Sequence, residues 1–114
     1  MYTLHVRLIE ANDIPKMDLI TQTDAYCIFR SCSETRRSFT VLNSKHPRWN
    51  QEFHFTIPSP TIGSLNITMR DEDVFKDDNI SYIDIPYNTM PVGQVIDQWF
   101  SMIPFRRVRK GGRL

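Results

Sequence analysis

The stretch Leu65-Asn66-Ile67-Thr68-Met69-Arg70-Asp71-Glu72-Asp73-Val74-Phe75-Lys76-Asp77-Asp78 changes character halfway along. Leu65 to Arg70 alternates apolar and polar residues with period two, the mark of a half-buried strand whose Leu65, Ile67 and Met69 face a core. Arg70 to Asp78 then holds five carboxylates in nine residues, interrupted only by Lys76 and a Val-Phe pair. Like charges this close repel, and a fold tolerates them only where water, basic partners or a cation offsets the repulsion. The acidic run therefore lies on a loop at the rim of a sheet. Taken alone, it reads equally well as a solvated turn, because Asp is common in turns.

The chain around this stretch is a succession of short strands. Tyr2 to Leu8 alternates strictly, with Tyr2, Leu4, Val6 and Leu8 on one face and His5 on the polar face. Ala25 to Arg30 is apolar on both parities. Arg36 to Leu42 and Trp49 to Ile57 alternate. Ile80 to Ile85 reads as a sixth strand closed by Pro86, and Phe100 to Phe105 as a seventh. Asn12-Asp13-Ile14-Pro15, Ser33-Glu34, Asn43 to Arg48 and Pro58-Ser59-Pro60 are turns or loops by composition. Between Pro91 and Trp99, Val92, Val95, Ile96 and Trp99 are spaced for a weak helical face that contains Gly93. Gly111-Gly112 makes a turn, and Arg113-Leu114 starts an eighth strand cut short. Seven or eight short strands with no convincing long helix predict an antiparallel β-sandwich.

With 114 residues, the chain is long enough for one sizeable core and too short for two, so residues 1–114 are expected to form a single domain. A formal net charge of +1 gives no global bias toward nucleic acid or membrane, so any electrostatic function must come from segregated charge. Asp18, Asp24, Asp71, Glu72, Asp73, Asp77 and Asp78 lie in two short stretches, while Arg106, Arg107, Arg109, Lys110 and Arg113 crowd the C-terminus. That basic tail reads as a solvated edge or linker, and no nucleic-acid partner is expected. Cys27 and Cys32 fall on opposite faces of one strand and its end, where they could not easily bridge. A reduced, cytoplasmic setting follows as the expectation.

The segment between Asp18 and Asp24 has no strand period, yet it carries the apolar pair Leu19-Ile20. Loops of a sandwich alternate between its two ends, so the connections after strands one and five can meet at one rim. Asp18 and Asp24 would then face Asp71, Asp73 and either Asp77 or Asp78. Such an all-oxygen set, with no His or Cys, suits a hard divalent cation, and flexible loops suit calcium better than magnesium. An EF-hand does not fit, because its fifth position would be Phe75 and its required glycine would be Lys76. No nucleophile elbow, phosphate-cradling glycine loop or Cys-His pairing occurs, so no catalysis is expected.

The order of motifs resembles a C2 domain. The resemblance rests on Leu4-x-Val6-x-Leu8-Ile9-Glu10-Ala11-x-Asp13-Ile14-Pro15, on Lys16-Met17-Asp18 followed by Asp24-Ala25-Tyr26, and on Pro47-x-Trp49-Asn50-x-x-Phe53. Its last part is Asp71-x-Asp73 with Asp77-Asp78-Asn79-Ile80-Ser81. Departures are Ala25 where proline is usual and Ser81 where glycine is usual. The resemblance implies an eight-stranded antiparallel Greek-key sandwich, in the type II, phospholipase-like strand permutation, that binds calcium between its loops and docks on phospholipid. By position, Asp18, Asp24, Asp71, Asp73 and Asp78 would be side-chain ligands, with the carbonyls of Met17 and Glu72 completing the shell. Asp78 is chosen over Asp77 because it keeps the distance to Ile80-Ser81. Leu19, Ile20, Val74 and Phe75 would sit at the loop tips as membrane contacts. Arg37 matches one position of a lysine-rich strand that binds phosphoinositide headgroups in some members, while Phe39 stands where a second lysine is usual. The implied protein is a monomer that reaches membranes peripherally on binding calcium. The alternatives are a calcium-independent protein-interaction domain and the targeting domain of a larger enzyme.

Overall fold

The computed structural model describes residues 1–15, 17, 22–106, 108 and 110–114. Seven strands form among them: β1 (Tyr2–Glu10), β2 (Ala25–Ser31), β3 (Glu34–Arg37), β4 (Arg48–Ile57), β5 (Ser64–Asp71), β6 (Asp78–Pro86) and β7 (Ile103–Pro104). All pairings are antiparallel. β1 and β4 make one sheet, and the other runs β3-β2-β5-β6-β7. The pairings β1–β4 and β2–β5 join strands far apart in sequence, so the two sheets are laced together by crossovers and close on one core.

Parity decides what that core contains. On β4, Phe53, Phe55 and Ile57 are buried while Glu52, His54 and Thr56 are exposed. On β2, Ala25, Cys27, Phe29 and Ser31 point inward, and on β5 Leu65, Ile67 and Met69 do the same. The Phe29 and Phe53 rings meet across the sheets with centroids 4.7 Å apart. Rings and branched chains buried to this degree each contribute roughly 1.5–3 kcal/mol relative to exposure. The inward parity of β5 ends on Asp71, only 1% exposed, so a carboxylate finishes an otherwise apolar row.

Three expectations for individual elements are corrected. The strand expected over Arg36 to Leu42 is confined to Glu34–Arg37. From Ser38 the chain crosses toward the other sheet, where side chains take over its backbone bonds: the Phe39 N–H donates to Gln51 at 3.1 Å, and the Trp49 indole N–H donates to the Phe39 carbonyl at 2.9 Å. Val41 rejoins β2 opposite Ala25. Pro91 to Trp99 is not helical. Gly93 has a φ of 80°, outside the helical region, and the only helix among the described residues is a 3₁₀ turn over Tyr87–Thr89. The seventh strand shrinks to Ile103–Pro104. Cys27 and Cys32 are free thiols, the first buried and the second exposed.

Candidate functional site

One end of the larger sheet collects the starts and ends of three strands. Asp24 immediately precedes β2, Asp71 closes β5 and Asp78 opens β6. In the ladder Asp71 pairs with Ala25 on one side and Asp78 on the other. The two acidic segments therefore converge. The Asp24 N–H donates to Asp71 Oδ1 at 2.9 Å, and the Glu72 N–H donates to the Asp24 carbonyl at 2.8 Å. Hydrogen bonds of a carboxylate to a backbone donor are the stronger kind, and they fix the two loops in mutual register.

A third loop closes the rim. The Asn43 N–H donates to Asp24 Oδ1 at 2.6 Å, and Asn43 Oδ1 accepts from the Gln22 N–H at 2.8 Å. Asn43 holds a φ of 50°, a left-handed conformation that asparagine adopts more readily than most residues. Sequence reading placed Asn43 in a loop by composition but gave it no part in the site. Its type and its setting in Asn43-Ser44 were the only available signals. Beneath, Thr23 Oγ1 donates to the Pro15 carbonyl at 2.6 Å and accepts from the Met17 N–H at 3.3 Å, which ties Met17 to the rim. Asp18, Leu19 and Ile20 lie outside the described residues.

The loop between β5 and β6 is held from within. Asp77 Oδ1 accepts the Asp73 N–H at 3.0 Å and Asp77 Oδ2 accepts the Tyr26 hydroxyl at 2.5 Å. The Tyr26 bond first and the Asp73 bond second, with Arg70 and Arg37 adding smaller attractions, hold the Asp77 carboxyl below its usual value. Burial, followed by the bond to Asp77, pushes the Tyr26 hydroxyl the other way. Arg70 threads the same network, donating to Tyr26 Oη at 3.2 Å, the Asp77 carbonyl at 3.2 Å and Asn79 Oδ1 at 2.9 Å. Arg37 stacks on the Tyr26 ring, 3.8 Å from its centroid, and pairs with Glu72 at 3.1 Å. Tyr26 and Arg70 are thus the loop's anchors, which sequence reading missed. Val74 and Phe75 stand at the loop tip, 91% and 97% exposed. Asp73 and Asp78 are exposed beside them. Among the described residues, no three of His, Cys, Asp and Glu are grouped closely enough to hold a metal ion by themselves.

The C2 domain family matches residues 2–102. Mouse cytosolic phospholipase A2 delta is 35% identical over 106 residues, covering 89% of this chain and 13% of that protein. Human cytosolic phospholipase A2 beta is 32% identical over 105 residues, again 89% and 13%. The chain therefore spans a small fraction of the curated relatives it matches, and that match is confined to the C2 part. A calcium-bound structure of the two tandem C2 domains of extended synaptotagmin 2 superposes with a TM-score of 0.85 at 27% identity, over 98% of this chain and 42% of that one. Two antiparallel sheets that bring Asp24 and Asp71 together at one end, with a family match along nearly the whole length, establish that the chain belongs to the C2 domain family.

Proposed function

We propose that this domain binds phospholipid membranes in a calcium-dependent way through the rim that Asp24 and Asp71 share. The observation that carries the reading is the direct bond between these two residues, 47 positions apart, at the same end as the exposed Val74-Phe75 tip. The donors are all oxygen, as a hard cation requires. Asp24, Asp71, Asp73 and Asp78 would hold the ion, together with Asp18 and the carbonyls of Met17 and Glu72. Both oxygens of Asp77 are already engaged, which favours Asp78 as the fifth carboxylate. Bound calcium supplies positive charge that reverses the sign of the rim and attracts anionic lipid oxygens. Val74 and Phe75 add burial in the acyl boundary, with Leu19 and Ile20 as the matching pair on the other loop. The chain itself carries out no catalysis, and it acts as a targeting module, including within a larger enzyme of the phospholipase kind.

Co-sedimentation with phosphatidylserine and phosphatidylcholine vesicles, in calcium and in chelator, tests this. Pelleting in calcium alone is expected. Equal pelleting in both removes the switch, and none in either removes the membrane. Asp24 and Asp71 each already accept a backbone N–H, a frame that holds together through the chain's own donors. That observation favours a second reading, a calcium-independent protein-interaction domain. On that reading, Asp18→Asn with Asp73→Asn leaves partner binding intact, whereas the first reading requires loss of calcium-driven pelleting.

A further inference from the structure

We propose that His5 of β1 and His54 of β4 form a two-histidine site for a divalent transition cation of the zinc class, on the outer face of their sheet. The two residues are direct partners in the antiparallel ladder, with Thr3 opposite Thr56 on one side and Arg7 opposite Glu52 on the other. Their orientation follows from the core. Leu4, Val6 and Leu8 of β1 pack inward with Phe53, Phe55 and Ile57 of β4, so the residues between them turn outward. Both histidines are accordingly exposed.

The rings have already come together. Their centroids lie 4.4 Å apart with the planes at 66°, an edge-to-face arrangement. Zinc–imidazole bonds of about 2.0–2.1 Å place two nitrogens about 3.3 Å apart on a tetrahedral ion. Cβ atoms of directly opposite residues stand about 5 Å apart, so rotation of two exposed side chains brings a nitrogen of each ring to that spacing. The ladder, in unbroken register from Tyr2 to Leu8, holds the backbone beneath them.

The donor type sets the ion. Imidazole nitrogen suits zinc, copper and nickel, whereas calcium and magnesium take oxygen. The pair therefore differs in kind from the acidic rim, and it lies midway along the other sheet. Two ring nitrogens fill two positions, and water or a ligand from outside the chain takes the rest, because no third His, Cys, Asp or Glu among the described residues is grouped with them. The nearest charges on this face offset each other: Arg7 holds Glu52 at 2.7 Å, so its guanidinium opposes an incoming cation less than a free one would. His46, the third histidine, lies in the loop before β4, and the exposed thiol of Cys32 follows β2.

The probe is zinc chloride, titrated calorimetrically into the full chain with calcium saturating, while the imidazole C–H signals are followed by NMR. A single ion is expected, with the His5 and His54 signals shifting together and those of His46 unmoved. His5→Ala and His54→Ala are exposed changes that leave the zinc-free melting temperature unaltered. Each weakens zinc binding roughly tenfold or more, since no second imidazole then waits beside an ion bound by the first. His46→Ala and Cys32→Ser leave the affinity unchanged. Zinc that shifts only one of the two rings, or binds either single variant as tightly as the parent chain, overturns the proposal. So does binding that disappears in Cys32→Ser, or in Asp24→Asn with Asp71→Asn, since the ion would then sit at that thiol or at the rim.

Discussion

The acidic rim and the Val74-Phe75 tip beside it are both costly to expose, but the cost is met in different ways. At the rim, charge is concentrated and the chain supplies donors to its carboxylates: Asp24 from Asn43, Asp71 from Asp24, and Asp77 from Asp73 and Tyr26. At the tip, Val74 and Phe75 are 91% and 97% exposed, and their apolar surface is left in water. The rim is thus preassembled, with carboxylate oxygens held by a hydrogen-bonded frame, while the tip keeps its apolar surface unburied. Preassembly suits an ion, whose binding cannot reorganise much backbone. Unburied apolar side chains suit a lipid boundary, where burial is gained only on contact.

The contrast breaks most readily at the rim carboxylates. Saturating calcium at about 100 times its Kd stabilises a single-site protein by roughly 2.7 kcal/mol, and this gain should vanish in Asp24→Asn with Asp71→Asn. Thermal melts with calcium and with chelator check it, and a calcium-dependent rise in the double variant would separate the rim from the ion. Next in size is Gly111→Ala. A Cβ at Gly111 would collide with the Met102 carbonyl, forcing the backbone apart where the Met102 N–H donates to the Gly112 carbonyl. A loss of roughly 1–3 kcal/mol is expected by denaturant unfolding, with faster exchange at Arg113 and Leu114.

Phe75→Ala should leave stability within about 0.5 kcal/mol, as for other exposed changes, yet cost about 2 kcal/mol of vesicle affinity, roughly thirtyfold. Equal vesicle binding by the variant would confine docking to charge. The smallest effect is the loop clamp. Tyr26→Phe removes two hydrogen bonds, the one the hydroxyl donates to Asp77 and the one it accepts from Arg70. It also returns the Asp77 carboxyl toward its ordinary 3.8, because the Tyr26 bond is the largest cause of the depression. The sign follows from linkage: with the folded value depressed, the clamp contributes stability above pH 3.8 and loses it only as pH falls through the lower folded value. Carboxyl titration by NMR in the two proteins measures the difference.

Much of the fold could be read locally. Period-two alternation in Tyr2–Leu8, Trp49–Ile57 and Leu65–Met69 depends only on which face of a strand is wet, so parity in sequence matches burial in space. The reading failed where a partner outside the window intervened. Phe39 left its expected strand because Gln51 and Trp49, far along the chain, take its hydrogen bonds. Tyr26 and Arg70 escaped notice as anchors of the acidic loop since both look like ordinary strand residues until β2 and β5 are paired.

By itself, the amino-acid order determined the sandwich class, the two acidic segments and the apolar tip between the carboxylates, since each follows from the alternation or clustering of neighbours. Only the tertiary structure decided that Asp24 and Asp71 share a hydrogen bond, that Asp77 is engaged by Asp73 and by Tyr26 of β2, and that Asn43 closes the rim. These depend on crossover pairings between distant strands. Pairing energy is spread over many backbone bonds and packed side chains, so no local pattern announces which distant residue arrives opposite.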